Sequence, residues 1–233
     1  MAFVSDALSY GGLFLEAVAI LLLVSGPLSR YFPVFLYLLT SFAVTASLAW
    51  VYSTRGVADP LYFNLYWGGE IMIDLLLFVL VISLTTKALE GNPAKPKVVR
   101  LLTIVLVAVL VLPFVLFQSK IFGRSWYESV GQLLNFGAAV MNLALWSALI
   151  LSRQRDRQLL TVSAGLGVTV AAAAVTLGVR KLTDQDDVMR TITDATYRIS
   201  QVACPLIWCW AFRPPKKNQP AVPPPVGATS SAN

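Results

Sequence analysis

YFNLYWGGEIMIDLLLFVLVISLTT, residues 62–86, decides the class of this chain. Residues 75–82 within it are apolar without interruption. As a helix rising 1.5 Å per residue, the stretch covers about 37 Å, more than the ~30 Å of a bilayer's hydrocarbon. It reads as a membrane span over about residues 66–86. Two carboxyls stand inside that span. Glu70 and Asp74 are four apart, so they stack on one helical face.

Six more apolar segments of similar length follow the same reading: residues 11–28, 32–52, 98–117, 127–151, 159–179 and 188–212. The whole chain of 233 residues is 57% hydrophobic and only 13% charged, against about 45–50% and 25% in an average soluble domain. Its mean hydropathy is +0.70. Seven spans use roughly 140 residues, which leaves no room for an extramembrane domain of useful size. The expected fold is an all-α membrane protein, a seven-transmembrane-helix bundle over residues 1–213. Residues 214–233 are rich in Pro, Lys and Ser and have no apolar face, so a disordered tail is expected there. Pro113 and Pro205 fall inside segments and should kink their helices. The segment over 159–179 is dense in Gly and Ala, which suits close packing inside a bundle.

Alternate loops differ in positive charge. One side carries eleven Lys and Arg: Arg30, Lys87, Lys95, Lys97, Arg100, Arg153, Arg155, Arg157, Arg213, Lys216 and Lys217. The other carries six: Arg55, Lys120, Arg124, Arg180, Lys181 and Arg190. The positive-inside rule then puts the amino terminus outside and the carboxy terminus in the cytoplasm of a multi-pass cell-membrane protein. Tyr62, Phe63, Tyr66, Trp67, Trp126 and Tyr127 gather at outer helix ends, as an interfacial aromatic belt does. This placement also accounts for the pI of 9.5 without nucleic acid as a partner.

Several chemistries are excluded. The chain has no histidine, which removes His-ligated haem, His-based zinc sites and Ser-His or Cys-His catalysis. Residues 188–212 contain no lysine, so no retinal Schiff base is available in the last segment. Cys204 and Cys209 are five apart, about 140° around a helix, and should not pair. No phosphate-cradling Gly-rich loop is present. No cofactor, no metal site and no catalytic residue is expected, and the chain is not read as an enzyme.

What remains is a set of polar groups at membrane depth. A charge there costs ~2.5–3.5 kcal/mol on insertion scales, so it faces partners or water. Besides Glu70 and Asp74 the set holds Glu16, Glu128, Gln132, Asn135, Asn142, Asp194, Tyr197 and Arg198. Arg190, Asp194 and Arg198 repeat every four residues. The expected pocket gathers Glu70, Asp74, Asn135, Asp194, Tyr197 and Arg198 in the outer half of the bundle. The plainer alternative is that these groups only bond across helices and fix their register.

The stretch Tyr62-Phe63-Asn64-Leu65-Tyr66-Trp67-Gly68-Gly69-Glu70 resembles a Tyr-Phe-x-x-Tyr-Trp-x-x-Glu pattern of uncharacterised bacterial seven-helix integral membrane proteins. The layout is also similar to the seven-helix input modules of bacterial sensor proteins. The resemblance implies a bacterial multi-pass protein and draws attention to Trp67 and Glu70; it supplies no activity. Two functions stay open. One is a receptor-like or partner-binding module, with a protein partner docking on the basic loops at residues 95–100 and 153–157. The other is a small transporter or ion-translocating protein using Glu70, Asp74 and Asp194.

Overall fold

The computed structural model describes residues 2–116, 124–151, 156–182 and 187–213. The tail beyond Arg213 and the loop residues Lys120, Arg153 and Arg155 lie outside them. The described residues form seven α-helices: α1 (Ala2–Val24), α2 (Phe32–Arg55), α3 (Pro60–Ala88), α4 (Lys95–Leu116), α5 (Arg124–Leu151), α6 (Arg157–Leu182) and α7 (Asp187–Ala211). Five of them, α2 to α6, contain stretches long and apolar enough to cross a membrane. That is the mark of a helical membrane protein. In α1 the apolar stretch is shorter, Tyr10–Val24. α7 carries Arg190, Asp194 and Arg198 in its first half.

The helix ends follow local chemistry. Asp59 caps α3, accepting the Leu61 N–H at 2.7 Å, with Pro60 in the first turn. Pro tolerates that position because its missing N–H would have no helical partner there. Gly56 ends α2 at φ 81°, a conformation glycine adopts without steric cost. Asp156 caps α6 through Gln158 N–H at 2.9 Å and Leu159 N–H at 3.3 Å. Its other carboxylate oxygen receives Arg30 at 2.5 Å, which ties the α1–α2 turn to the start of α6.

Neighbouring helices close a ring in the order α1, α2, α3, α5, α6, α7 and back to α1. α4 stands outside it, against α5 and α3. Close contacts are made over glycine. Gly69 of α3 sits directly against Val44 of α2. Gly165 of α6 lies under the Trp208 indole of α7, whose Nε1–H donates to Val162 O at 2.8 Å. Cys204 is buried, Cys209 half-buried, and both are free thiols.

Among the described residues Val51 of α2 and Leu134 of α5 are fully buried in one half of the bundle, and a larger set is fully buried in the other. Phe78, Leu80 and Leu84 of α3, Leu23, Leu38, Met141, Leu145, Leu166 and Trp208 are all fully buried. Every one lies between its helix midpoint and the end marked by Tyr31. Tyr31 itself is enclosed there, edge-on to Phe212 at 5.4 Å with the Lys87 Nζ 4.7 Å from its ring centroid. Burial, aided by the nearby Asp156 carboxylate and opposed by Arg30, pushes the Tyr31 hydroxyl up to about 12. At the other end the aromatics stack. Tyr62 lies on Tyr66 at 6.5 Å, Trp67 on Tyr127 at 5.8 Å, and Phe63 meets Tyr127 edge-on at 5.9 Å.

Candidate functional site

At mid-height the ring encloses a cavity of about 260 Å³. All six ring helices line it, and α4 contributes nothing. Helical periodicity explains which residues arrive. α2 offers Tyr37, Ser41 and Thr45, one stripe at intervals of four. α3 offers Glu70, Ile73, Asp74 and Leu77, spaced as one face of a helix. Tyr197, Arg198, Gln201 and Val202 form the corresponding face of α7. α1 adds Gly12, Leu13 and Glu16, α5 adds Asn135, and α6 adds Thr169, Val170 and Ala173.

Polar contacts hold this lining in place. Ser41 Oγ donates to Glu16 Oε1 at 2.7 Å, joining α2 to α1. Glu16 Oε2 is buried and has no hydrogen-bond partner among the described residues. Asp74 is 5% exposed, at the midpoint of α3. It accepts from Asn135 Nδ2 at 3.4 Å, while the same nitrogen also donates to Gly131 O at 2.9 Å. The Tyr37 ring lies edge-on to Trp208 at 5.7 Å. Tyr197 lines the cavity within the electrostatic reach of Glu70 and Asp74. Gly69 brings α2 close one residue before Glu70, which lines the cavity from α3.

Of the six residues expected from sequence, five meet at this cavity: Glu70, Asp74, Asn135, Tyr197 and Arg198. Asp194 lies one turn before Arg198 on α7, and its side chain is outside the described residues. The same holds for the Glu128 side chain. Asn142 shares a face with Asn135 yet is packed elsewhere. It is 7% exposed beside Gly167, and its Oδ1 has no hydrogen-bond partner among the described residues. Two turns beyond Asn135 the core has already closed.

Sequence reasoning left Tyr37, Ser41, Thr45, Thr169 and Gln201 out of the pocket. The Tyr37–Ser41–Thr45 stripe in an otherwise apolar span is the signal that points to α2. The depth also differs from the expectation. The lining residues sit around the helix midpoints, because α2 and α6 supply their polar groups there and the space between them is what the dry half leaves open.

Three carboxyls, one guanidinium, two phenols, two amides and three hydroxyls therefore surround one small space. This lining can hold a polar or charged molecule. Comparison with protein families, with curated proteins and with solved structures gives no match to this chain.

Proposed function

We propose that this chain is a seven-helix membrane protein that binds a small ligand within its bundle and acts as a receptor-like, non-enzymatic module. In this reading α1 and α7 cross the membrane with the other five helices. The amino terminus is outside and the tail cytoplasmic, as the eleven-to-six distribution of Lys and Arg suggests. The observation that carries the reading is the pairing of a polar cavity with a dry floor. The cavity is lined from six helices. Between it and the Tyr31 end lie Phe78, Leu80, Leu84, Met141, Leu145 and Leu166, all fully buried. Among the described residues the buried polar side chains of that half, Thr85, Ser163 and Asn142, are set singly within this apolar packing. Binding with a sealed far side is what a receptor needs. A partner protein would then meet the positive side, where Lys95, Lys97, Arg100 and Arg157 begin α4 and α6.

A transporter is the second reading, favoured by one observation. The cavity lies at mid-height, where secondary transporters place their substrates. One-sided access separates the two. Thr169→Cys is introduced with Cys204→Ala and Cys209→Ala, and labelled by a membrane-impermeant trimethylammonium methanethiosulfonate. Labelling in right-side-out vesicles alone is the expected result. Labelling in both right-side-out and inside-out vesicles establishes alternating access and overturns the receptor reading. A reporter on the tail that is active only outside the cytoplasm overturns the orientation.

A further inference from the structure

We infer that the cavity takes a small organic cation, an ammonium group on a short carbon body, anchored by Glu16 and Asp74. This rests on the ligand-binding reading above and adds the chemical class. The first argument is charge. Glu16, Glu70 and Asp74 face the space, against the single guanidinium of Arg198 among the described lining residues. An anion would add to an excess of carboxyls in a low-dielectric setting, where like charges repel strongly. A cation offsets it.

The second argument is an acceptor without a donor. Glu16 Oε1 is occupied by Ser41, while the buried Oε2 has no partner among the described residues. A buried polar atom left so calls for a partner beyond the described residues, and a bound ligand can be that partner. Among the described residues Asp74 accepts the long contact of 3.4 Å from Asn135, well beyond the ~2.9 Å of a good N–H···O bond. Both carboxyls therefore have acceptor capacity to give, and an ammonium brings up to three N–H donors.

The third argument is shape. Among the described residues no three carboxyls, thiols or histidines converge closely enough to hold one metal ion. The acceptors are spread around the wall, which suits a molecule with extent. The volume of about 260 Å³ lies just under the ~300 Å³ at which drug-sized sites begin. Ile73, Leu77, Val170 and Val202 offer an apolar wall for the carbon body. Tyr37 and Tyr197 add rings whose faces attract a cation.

The test uses the full chain in lipid nanodiscs with Thr169→Cys, Cys204→Ala and Cys209→Ala. The thiol is labelled with uncharged methyl methanethiosulfonate, and the rate is read by intact mass. Three probes of equal carbon length are compared: n-butylammonium, n-butanol and n-butyrate. With n-butylammonium at roughly ten times its dissociation constant, labelling should slow about tenfold, with little effect from the other two. Glu16→Gln should abolish that protection while the unprotected rate stays within about twofold of the parent. If Glu16→Gln does not fold, Asp74→Asn takes its place in the same comparison. Protection by n-butanol or n-butyrate equal to that by n-butylammonium overturns the cation assignment and leaves ligand binding standing. So does protection by none of the three, or protection that survives loss of the carboxylate. A Thr169→Cys thiol that never labels overturns ligand binding itself.

Discussion

Replacing Gly165 by alanine adds one methyl at the α6–α7 contact. The new Cβ would stand 2.8 Å from Trp208 Nε1 and 3.0 Å from its Cδ1, with Cys204 O at 3.4 Å. Comfortable separations begin near 3.5 Å, so something must move by about half an ångström. The indole is poorly placed to do so. It is fully buried, its N–H is committed to Val162 O at 2.8 Å, and its ring packs against the Tyr37 ring at 5.7 Å. Overpacking of this kind costs about 1–3 kcal/mol. Stretching the indole hydrogen bond adds about 1 kcal/mol, and alanine's better helix propensity returns about 1 kcal/mol. The net loss is about 1–3 kcal/mol, or roughly 3–10 °C in melting temperature for a chain of this size. The control is Gly68→Ala, where an added Cβ meets nothing within 4 Å. That variant should melt at or slightly above the parent. Thermal unfolding of both variants in the same detergent decides the matter. If Gly165→Ala melts with Gly68→Ala, the Trp208 side chain is not pinned on α6 and the account of this interface is wrong.

Asp156→Ala should lose about 1 kcal/mol from the α6 cap and little more from Arg30, whose side chain is 58% exposed. Arg30→Ala should therefore cost much less than Asp156→Ala in the same melting assay, and equal losses would refute the capping account. Asp74→Asn should stay within about 1 kcal/mol of the parent, because a carboxamide oxygen still accepts from Asn135. Arg198→Ala removes the only guanidinium on the described cavity wall and, since the residue is exposed, should cost up to about 1 kcal/mol. Detergent melting of the two variants side by side checks this, and a loss well beyond that in either would contradict it.

The helices were legible because a bilayer leaves the backbone few choices. Unpaired amides in hydrocarbon cost several kcal/mol each, so an apolar run of span length is a helix almost by necessity. Their ends were less legible where hydropathy alone was followed. The third span was read from residue 66, yet α3 starts at Pro60. The Asp59-Pro60 pair, an N-cap followed by a first-turn proline, carries that boundary in its polar chemistry. Likewise α1 runs from Ala2, through Ser5, Asp6 and Ser9, which no apolar count includes. The ring order was not legible at all. α4 is apolar around its whole circumference between Leu101 and Leu112 but for Thr103, and a helix without a polar face gives no sign of which side meets its neighbours.

The cavity divides along the same physical line. Glu70, Asp74 and Arg198 could be picked out because an ionisable group at membrane depth is costly enough to need a reason. Hydroxyls carry no such information. Thr85 satisfies itself on Val81 O at 2.8 Å, and Thr169 bonds Gly165 O at 3.4 Å, so a threonine in a span is cheap wherever it falls. Only the fold distinguishes the two, since Thr85 is sealed in the dry half and Thr169 faces the cavity. The same holds for Asn135 and Asn142, alike in sequence and separated by whether the ring has closed at their level. What makes a site here is the meeting, at one height of a six-helix ring, of short polar stripes that are individually unremarked. Six helices each turning one polar edge to the same level leave a space that the apolar packing toward the Tyr31 end does not fill. The carboxyls in it then stay soluble in the membrane through one another's partners and, on the reading proposed, through the cation they are arranged to receive.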